Sequence, residues 1–319
     1  MKIVVLDGKT LAADDNPWTD LLSLGTVEIH DRGTEEQTLE RAQGAGILVV
    51  NKARITSDII AQLPDLRFIA VTATGYDCVA IDAARRRHIP VANVPEYGTD
   101  SVAQFTMALL LELCHRAGLH AEAVAAGEWS RTPDFCFWKT PQVELAGLTI
   151  GIVGLGRIGR RVAELSHAFG MNVLATALRP DRPPLLTRFD WATLDDLLMC
   201  SDVISLHCPL TDTTAGLINS QRLHAVKRGA FLINTARGGL IVESDVADAL
   251  NQGQLGGAAL DVVALEPIEP DNPLITARRC LLTPHIAWAS QAARRRLLTA
   301  TVQNIQDFLA GRPSNVVNA

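Results

Sequence analysis

The segment GIVGLGRIGR, which begins at Gly151, constrains the fold of this chain more than any other stretch. Gly154, Gly156 and Gly159 form a GxGxxG pattern between an apolar run, LTIGIV, and a helical pattern, RIGRRVAELSHAFG. Gly154 permits a tight turn, Gly156 lets a phosphate approach the main chain, and Gly159 lets the helix pack closely on the strand. The helix N-terminus then offers N–H groups and a positive dipole end to an anion. In this context the pattern indicates dinucleotide binding rather than a purely structural turn.

Strand and helix patterns alternate along the whole chain of 319 residues. Short β-branched runs separated by polar–apolar stretches predict buried parallel strands joined by helices. The runs are KIVVLD, VEIHD, GILVV, RFIAVT and VANV, followed by LTIGIVG, NVLAT, DVISLHC, GAFLINTA, GGAALDVV and CLLTPH. A long helix is expected from Thr99 or Asp100, either of which can cap it, and a final helix of about 24 residues should end at Gly311. We predict an α/β protein with two doubly wound domains, the second of which opens with the glycine loop.

The composition argues against several functional classes. A formal net charge of -6 is atypical of nucleic-acid-binding surfaces. The apolar run before Asp7 has only four residues, too few for a signal peptide, and no apolar run is long enough for a membrane span. The six cysteines form no CxxC pair, which is typical of a reduced, cytoplasmic protein. No two histidines share a spacing such as HxxxH, so no metal site is expected.

The strand that follows the glycine loop lacks the acidic residue that usually ends it. In NAD-binding domains an Asp or Glu at this point accepts a hydrogen bond from the adenosine ribose 2′-OH. Here the position holds Ala177, and Arg179 and Arg182 follow. Guanidinium groups suit a 2′-phosphate, so one interpretation is NADPH binding. The alternative is an NAD site without its acid, beside solvated arginines, and the sequence leaves this choice open.

Three further segments place polar residues just after apolar strands, where open α/β sheets bind their ligands. INTARGGLI carries Arg237, LDVVALEP carries Asp261 and Glu266, and LLTPHIAW carries His285. Arginine binds a carboxylate through two parallel hydrogen bonds, and histidine can deliver a proton to a ketone oxygen. A neighbouring carboxylate holds the imidazole in one tautomer and stabilises its protonated form. Each residue alone has a structural explanation, but together they favour the reduction of a 2-keto acid.

Several of these segments resemble the signatures of the D-isomer-specific 2-hydroxyacid dehydrogenases. They are VGLGRIG, HCPLTDTT, NTARGGLIVE, ALDVVALEP, TPHIAWAS and, at residues 74–84, TGYDCVAIDAA. The resemblance implies Arg237 as the substrate clamp, His285 as the acid/base and Glu266 as its partner. It also implies a set of binding residues: the main-chain N–H groups of Thr74 and Gly75 on the substrate carboxylate, Arg157 and Ile158 at the pyrophosphate of NAD or NADP, Asp261 near the nicotinamide, and Thr235, Ala236 and Cys208 along the cofactor.

The resemblance also explains why the glycine loop lies in the middle of the chain. In that family a Rossmann domain is inserted into a flavodoxin-like substrate domain. The expected substrate domain therefore comprises residues 1–98 plus 287–319, and the expected dinucleotide-binding domain comprises residues 99–286.

The loop DFCFWKTPQVEL resembles the glycerate dehydrogenase, or hydroxypyruvate reductase, branch of the family. In relatives the aromatic residue of this loop, here Trp138, reaches the active site of the partner subunit, which implies a homodimer. Alternatively, Phe135, Phe137 and Trp138 serve only as a dimer core.

The segment NKARIT, at residues 51–56, resembles the same branch and makes Asn51 or Lys52 a candidate for the substrate site. An ordinary loop at a strand end explains this segment as well. The expected substrate is hydroxypyruvate or glyoxylate. A D-lactate-type dehydrogenase and a non-catalytic NAD(H)-sensing protein on the same fold are the alternatives.

Overall fold

The computed structural model describes residues 1–11 and 15–319, and the chain divides into two units. Unit 1 consists of Met1–Gly98 and Ala289–Ala319, and unit 2 consists of Thr99–Trp288. The chain thus re-enters unit 1 at Ala289, whereas the sequence placed that boundary at residue 287.

The secondary structure follows the alternation expected of an α/β protein. The strands are β1 Lys2–Val5, β2 Thr26–Ile29, β3 Ile47–Val50, β4 Phe68–Val71, β5 Val91–Ala92, β6 Thr149–Val153, β7 Asn172–Thr176, β8 Phe189–Trp191, β9 Val203–Leu206, β10 Ala230–Asn234, β11 Leu255–Leu260 and β12 Cys280–Leu282. The α-helices are α1 Thr19–Leu22, α2 Glu35–Ala42, α3 Ser57–Ala61, α4 Ile81–Arg86, α5 Thr99–His115, α6 Ala117–Ala125, α7 Glu128–Arg131, α8 Arg157–Ala168, α9 Leu194–Cys200, α10 Ser220–Ala225, α11 Glu243–Asn251 and α12 Gln291–Leu309.

Unit 1 is built on a five-stranded sheet in the order β2-β1-β3-β4-β5, with every adjacent pair parallel. Successive side chains of a strand point to opposite faces, so Ile3 and Val5 join one core cluster and Val4 joins the other. Helix α12 covers the first of these faces, and its Phe308 stacks on Phe68 with 4.5 Å between ring centroids. The strand order 2-1-3-4-5 is that of flavodoxin-like domains, as expected.

Unit 2 contains a seven-stranded sheet in the order β12-β11-β10-β9-β6-β7-β8, again parallel throughout. Helices α5 and α8 pack on one face, and α9, α10 and α11 pack on the other. The strand order reverses at β6, because β7 lies on one side of it and β9 on the other. Open α/β sheets bind ligands outside the carboxyl ends of the strands at this kind of switch point.

The structure differs from the sequence-based expectation in several local features. The edge strand β8 was not expected, because its three residues are half-buried or exposed and form no apolar run. Thr99 and Asp100 are the first residues of α5 rather than caps outside it, and the Asp100 carboxylate pairs with Arg161 at 2.9 Å. Helix α12 begins after its N-cap Ser290 and is 19 residues long, shorter than the sequence pattern indicated.

The described residues include no helix with the length and hydropathy needed to cross a membrane. Within the same residues, no group of three or more His, Cys, Asp or Glu side chains could hold a metal ion.

Candidate active site

The glycine loop connects β6 to α8 at the switch point of the unit 2 sheet. Gly154 has a φ of 98°, and a Cβ there would lie 2.6 Å from the amide nitrogen of Cys208, just after β9. A Cβ at Gly159 would lie 2.2 Å from the Gly154 carbonyl oxygen, so helix and loop are in direct contact. Around Gly156, by contrast, no described atom beyond the glycine and its adjoining residues lies within 4 Å of the position that a Cβ would take. The loop is therefore closed towards the protein and open at the glycine that a phosphate would approach.

The N-terminus of α8 begins at this opening. Gly156 is the N-cap and supplies no side chain to cap the helix, and the first main-chain hydrogen bond of the turn runs from Arg160 N to Gly156 O. The N–H groups of Arg157 and Ile158 precede that bond, in the part of a helix that has no intrahelical acceptors. These amides and the helix dipole suit a pyrophosphate, so the residues of this loop fit a dinucleotide cofactor.

Several arginines lie near the segment that follows β7. In this segment Ala177 is half-buried, and both Arg179 and Arg182 are exposed. Arg160, in the first turn of α8, donates a hydrogen bond to the Arg182 carbonyl oxygen. Three cationic side chains thus belong to neighbouring segments at the place where the expected acid is missing. Arg160 was not among the predicted binding residues, although its position directly after the last glycine of the motif was a usable signal.

The end of β9 contains a polar pair that sequence analysis missed. The Nε2 atom of His207 lies 2.8 Å from the hydroxyl of the buried Ser205, and the His207 amide donates to the Val153 carbonyl at 2.7 Å. Removal of the ring from water lowers the pKa of His207 to about 4, so this histidine is neutral at pH 7. Burial also raises the pKa of the adjacent Cys208 thiol, so this expected cofactor neighbour is a neutral thiol at pH 7.

Arg237 follows β10, in a loop that is fixed by hydrogen bonds among residues 234–237. The buried side-chain amide of Asn234 donates to the Arg237 carbonyl at 2.9 Å and accepts from the Ala236 amide at 3.0 Å. One guanidinium nitrogen of Arg237 donates to the Ala236 carbonyl, and the side chain as a whole is exposed. On the other side of the loop, the hydroxyl of Thr235 lies 3.1 Å from that of Thr106 in α5. The strand end is therefore rigid, while the guanidinium retains donors for a ligand.

The Arg237 loop packs directly on the loop that carries Glu266. A Cβ at Gly238 would lie 1.9 Å from the Val263 carbonyl carbon, so only glycine permits this approach. The second loop is anchored by Glu243, the first residue of α11, whose carboxylate accepts from Ala264 N at 2.7 Å and from the Asn272 side chain at 2.9 Å. Glu243 thus supports the Glu266 loop from outside the site.

The sequence-predicted pair of His285 and Glu266 is formed. His285 Nδ1 lies 2.7 Å from Glu266 Oε2, and the other carboxylate oxygen accepts from Val263 N at 3.4 Å. Both side chains are partly exposed, at 29% and 35% respectively. Because Nδ1 is engaged with the carboxylate, Nε2 is the ring nitrogen that can exchange a proton with a ligand.

Asp261, expected near the nicotinamide, is only 1% exposed and follows β11 directly. Its carboxylate accepts hydrogen bonds from the segment that carries His285. Both carboxylate oxygens of Asp261 therefore already accept hydrogen bonds from the protein itself.

The two expected substrate-carboxylate residues, Thr74 and Gly75, belong to unit 1, in the loop after β4. The Thr74 hydroxyl donates to the Val94 carbonyl at 2.9 Å, and the Asn93 side chain donates to the Thr74 carbonyl at 2.7 Å. These bonds order the loop and leave the main-chain amides of Thr74 and Gly75 as the groups with which it can bind an anion.

A neighbouring loop of unit 1 depends on a residue that sequence analysis missed. The Asp7 carboxylate accepts from the amides of Asn51, Lys52 and Ala53 at 2.5–2.8 Å. The Asn51 side chain is directed inward and donates to the Thr72 carbonyl at 2.6 Å. Of the two candidates in this segment, Asn51 is therefore part of the interior, whereas Lys52 is exposed.

The aromatic segment of unit 2 is largely exposed. Phe135 is 90% and Trp138 is 69% exposed, while Phe137 is half-buried. The indole N–H of Trp129 donates to the Phe135 carbonyl at 3.0 Å, so the segment has a defined conformation despite its exposure.

Within unit 2 the structure therefore brings Arg237, Glu266, Asp261 and His285 to adjoining strand ends of one sheet, the sheet in which β6 leads into the glycine loop. Thr74 and Gly75 lie in the other unit.

Comparisons with known proteins identify the family to which this chain is similar. Residues 107–287 match the family model described as D-isomer specific 2-hydroxyacid dehydrogenase, NAD binding domain. A hydroxypyruvate reductase of Blautia hydrogenotrophica is 44% identical, over 100% of both chains. A glycerate dehydrogenase of Methylorubrum extorquens is 40% identical, over 100% of this chain and 99% of the relative. The crystal structure of the TT0316 protein from Thermus thermophilus superposes with a TM-score of 0.89 at 37% identity, covering 99% of this chain and 100% of the other.

The family model covers more than half of the chain, and both relatives align with its full length. The parallel sheets of five and seven strands agree with the matched structure, and the glycine loop lies within the residues that match the NAD binding domain. The chain therefore belongs to the D-isomer-specific 2-hydroxyacid dehydrogenase family, whose members are NAD(P)-dependent oxidoreductases that act on 2-keto and 2-hydroxy acids.

Proposed function

We propose that the protein reduces hydroxypyruvate or glyoxylate to the corresponding 2-hydroxy acid, D-glycerate or glycolate, with NAD(P)H. The observation that carries this proposal is the 2.7 Å contact between His285 Nδ1 and Glu266 Oε2, at a strand end of the dinucleotide-binding unit. The full-length likeness to a hydroxypyruvate reductase and a glycerate dehydrogenase supports the choice of substrate.

Each residue of the proposed site has a distinct task. A reduced nicotinamide cofactor, which the glycine loop and the amides of Arg157 and Ile158 would hold, would supply the hydride for the keto carbon. The Arg237 guanidinium holds the substrate carboxylate through two parallel hydrogen bonds. Protonated His285 gives its Nε2 proton to the ketone oxygen as negative charge develops there. Glu266 stabilises the imidazolium and keeps Nδ1 protonated, so that Nε2 remains the reactive nitrogen.

The experiment that tests this proposal follows the loss of absorbance of the reduced nicotinamide with four acids: hydroxypyruvate, glyoxylate, pyruvate and 2-oxobutyrate. We expect the highest kcat/KM with hydroxypyruvate or glyoxylate. Preference for pyruvate would replace the proposal with a D-lactate-type activity. Absence of turnover with all four acids, with NAD(H) binding retained, would favour a sensing protein.

We further propose that the protein uses NADPH as well as NADH. Support comes from the absence of an acid at Ala177, from the exposed Arg179, and from the hydrogen bond between Arg160 and the Arg182 carbonyl. A guanidinium attracts a 2′-phosphate, whereas a carboxylate at position 177 would repel it. Running the four acids with both cofactors tests this directly. The Ala177→Asp variant should shift the ratio of kcat/KM values towards NADH by about tenfold or more, and an unchanged ratio would contradict the proposal.

We also propose a homodimer in which Trp138 of one subunit reaches the active site of the other. Two exposed aromatic side chains on one ordered segment, Phe135 and Trp138, support it, because neighbouring large apolar groups at a surface commonly mark an interface. Sedimentation equilibrium should give a dimer for the wild type and weaker association for Phe135→Ser. Met199→Ser, which also removes an exposed apolar side chain from unit 2, is the matched control and should leave association unchanged. A monomeric wild type would refute the proposal.

A further inference from the structure

We propose that Thr283 is a positioning residue for ketone reduction: with the buried Asp261 carboxylate, it holds His285 in the main-chain conformation that directs the imidazole to Glu266. The inference rests on the proposed function, in which His285 is the acid/base. It assigns to Thr283 and Asp261 a task that is separate from cofactor binding.

The main chain of His285 is in a conformation that L-residues rarely adopt. Its φ is 54°, in the left-handed region, where contact between Cβ and the main chain is unfavourable. Such a conformation persists only where the surrounding structure imposes it. In this protein the left-handed conformation occurs at the residue whose side chain contacts Glu266 at 2.7 Å. The contacts that impose this conformation therefore also define the geometry of the His285–Glu266 pair.

Asp261 provides most of those contacts. Its Oδ1 accepts from the Thr283 hydroxyl at 2.6 Å and from Ile286 N at 2.9 Å, and its Oδ2 accepts from Ala287 N at 2.8 Å. Its main-chain oxygen accepts from His285 N at 2.8 Å. One buried residue thus binds the chain before, at and after His285, which determines the path of the segment.

The Thr283 hydroxyl has a particular place in this arrangement. Thr283 N already donates to the Leu260 carbonyl at 3.0 Å, which continues the pairing of β12 with β11. The hydroxyl then joins this anchored residue to the carboxylate by a short charge-assisted hydrogen bond, a strong class of such bonds. The Thr283 hydroxyl therefore connects the sheet to the Asp261 carboxylate, which in turn orients residues 285–287.

The two halves of the His285–Glu266 pair are anchored independently. The Glu266 loop depends on Glu243, which binds Ala264 N and the Asn272 side chain. The His285 segment depends on Asp261 and Thr283. Loss of the Thr283 hydroxyl should therefore displace His285 relative to Glu266 without releasing the Glu266 loop.

The expected consequence is a loss of turnover rather than of binding. A displacement of about 1 Å in a catalytic group can lower the rate by up to about a hundredfold. Thr283→Val keeps the shape of the side chain and removes the donor, so we expect kcat to fall by about tenfold or more. The KM for hydroxypyruvate and the Kd for NADPH should stay within about twofold of the wild type. Thr283→Ser keeps the hydroxyl and should restore most of the lost turnover.

Thr301→Val is the matched control, because the buried Thr301 hydroxyl donates to the Leu297 carbonyl inside α12, in the other unit. It should leave kcat unchanged. Thr283→Ala gives the same test if Thr283→Val does not fold, and thermal denaturation identifies that case. Wild-type kcat in Thr283→Val or Thr283→Ala would overturn the inference, as would an equal loss in Thr283→Ser or a loss confined to NADPH affinity.

The failure of this inference is distinguishable from the failure of the proposed function through a parallel measurement on His285→Ala. Lost turnover in His285→Ala combined with normal turnover in Thr283→Val would remove only the role of Thr283. Normal turnover in His285→Ala would remove both.

Discussion

Replacing His285 with Ala is expected to lower kcat for hydroxypyruvate reduction by about a hundredfold or more, because the ketone oxygen then lacks its proton donor. The Kd for NADPH should stay near the wild-type value, since the glycine loop and the N-terminus of α8 lie on a different part of unit 2. Steady-state kinetics and titration of the reduced cofactor by fluorescence measure the two quantities separately.

His224→Ala is the control for this change. His224 is an exposed histidine of α10 whose Nδ1 lies 2.6 Å from the Ser220 carbonyl, and it has no assigned part in the proposed site. Its removal should leave kcat unchanged. If His285→Ala retained the wild-type kcat, His285 would have no part in the reaction, and the contact with Glu266 would be structural only.

Replacing Arg237 with Lys is expected to raise the KM for 2-keto acids by about tenfold or more, with a smaller change in kcat. Lysine keeps the positive charge but loses the planar fork that binds a carboxylate through two parallel hydrogen bonds. The change should not alter the strand end, because the Asn234 side chain binds the main chain of residues 236 and 237 rather than the guanidinium. Initial rates over a range of hydroxypyruvate concentrations give the two constants.

The exposed Arg228, in the turn before β10, provides the matched control for the same change of side chain. Arg228→Lys should leave both constants at their wild-type values. If Arg237→Lys used hydroxypyruvate as well as the wild type does, the substrate carboxylate would have to be held by groups other than the Arg237 guanidinium. The two variants, His285→Ala and Arg237→Lys, therefore separate proton donation from substrate binding.

Most strands could be predicted from the sequence because a buried parallel strand needs a continuous apolar run, and such runs as GILVV and GAFLINTA have no other simple explanation. The edge strand β8 escaped prediction for the same reason. It pairs with β7 alone, so its residues are not required to be apolar on both faces.

The residue types of the candidate site were also predictable, because carboxylate binding, proton transfer and phosphate binding each require particular groups. The close pair of His285 and Glu266 agrees with that prediction at the level of geometry, while the catalytic roles stay predictions. The polar pair of Ser205 and His207 was not found, because a histidine after a strand carries no sequence signal for its hydrogen-bond partner.

By itself the sequence determined that this is a parallel α/β protein with a dinucleotide loop, and that it carries the signature segments of its family. Periodicity, glycine spacing and residue chemistry are local properties, so they can be read along the chain. Only the tertiary structure decided how Asp261 is used, because its partners at residues 283, 286 and 287 lie on another strand end. The left-handed conformation of His285 depends on the same contacts between distant segments, and no pattern in TPHIAW specifies it.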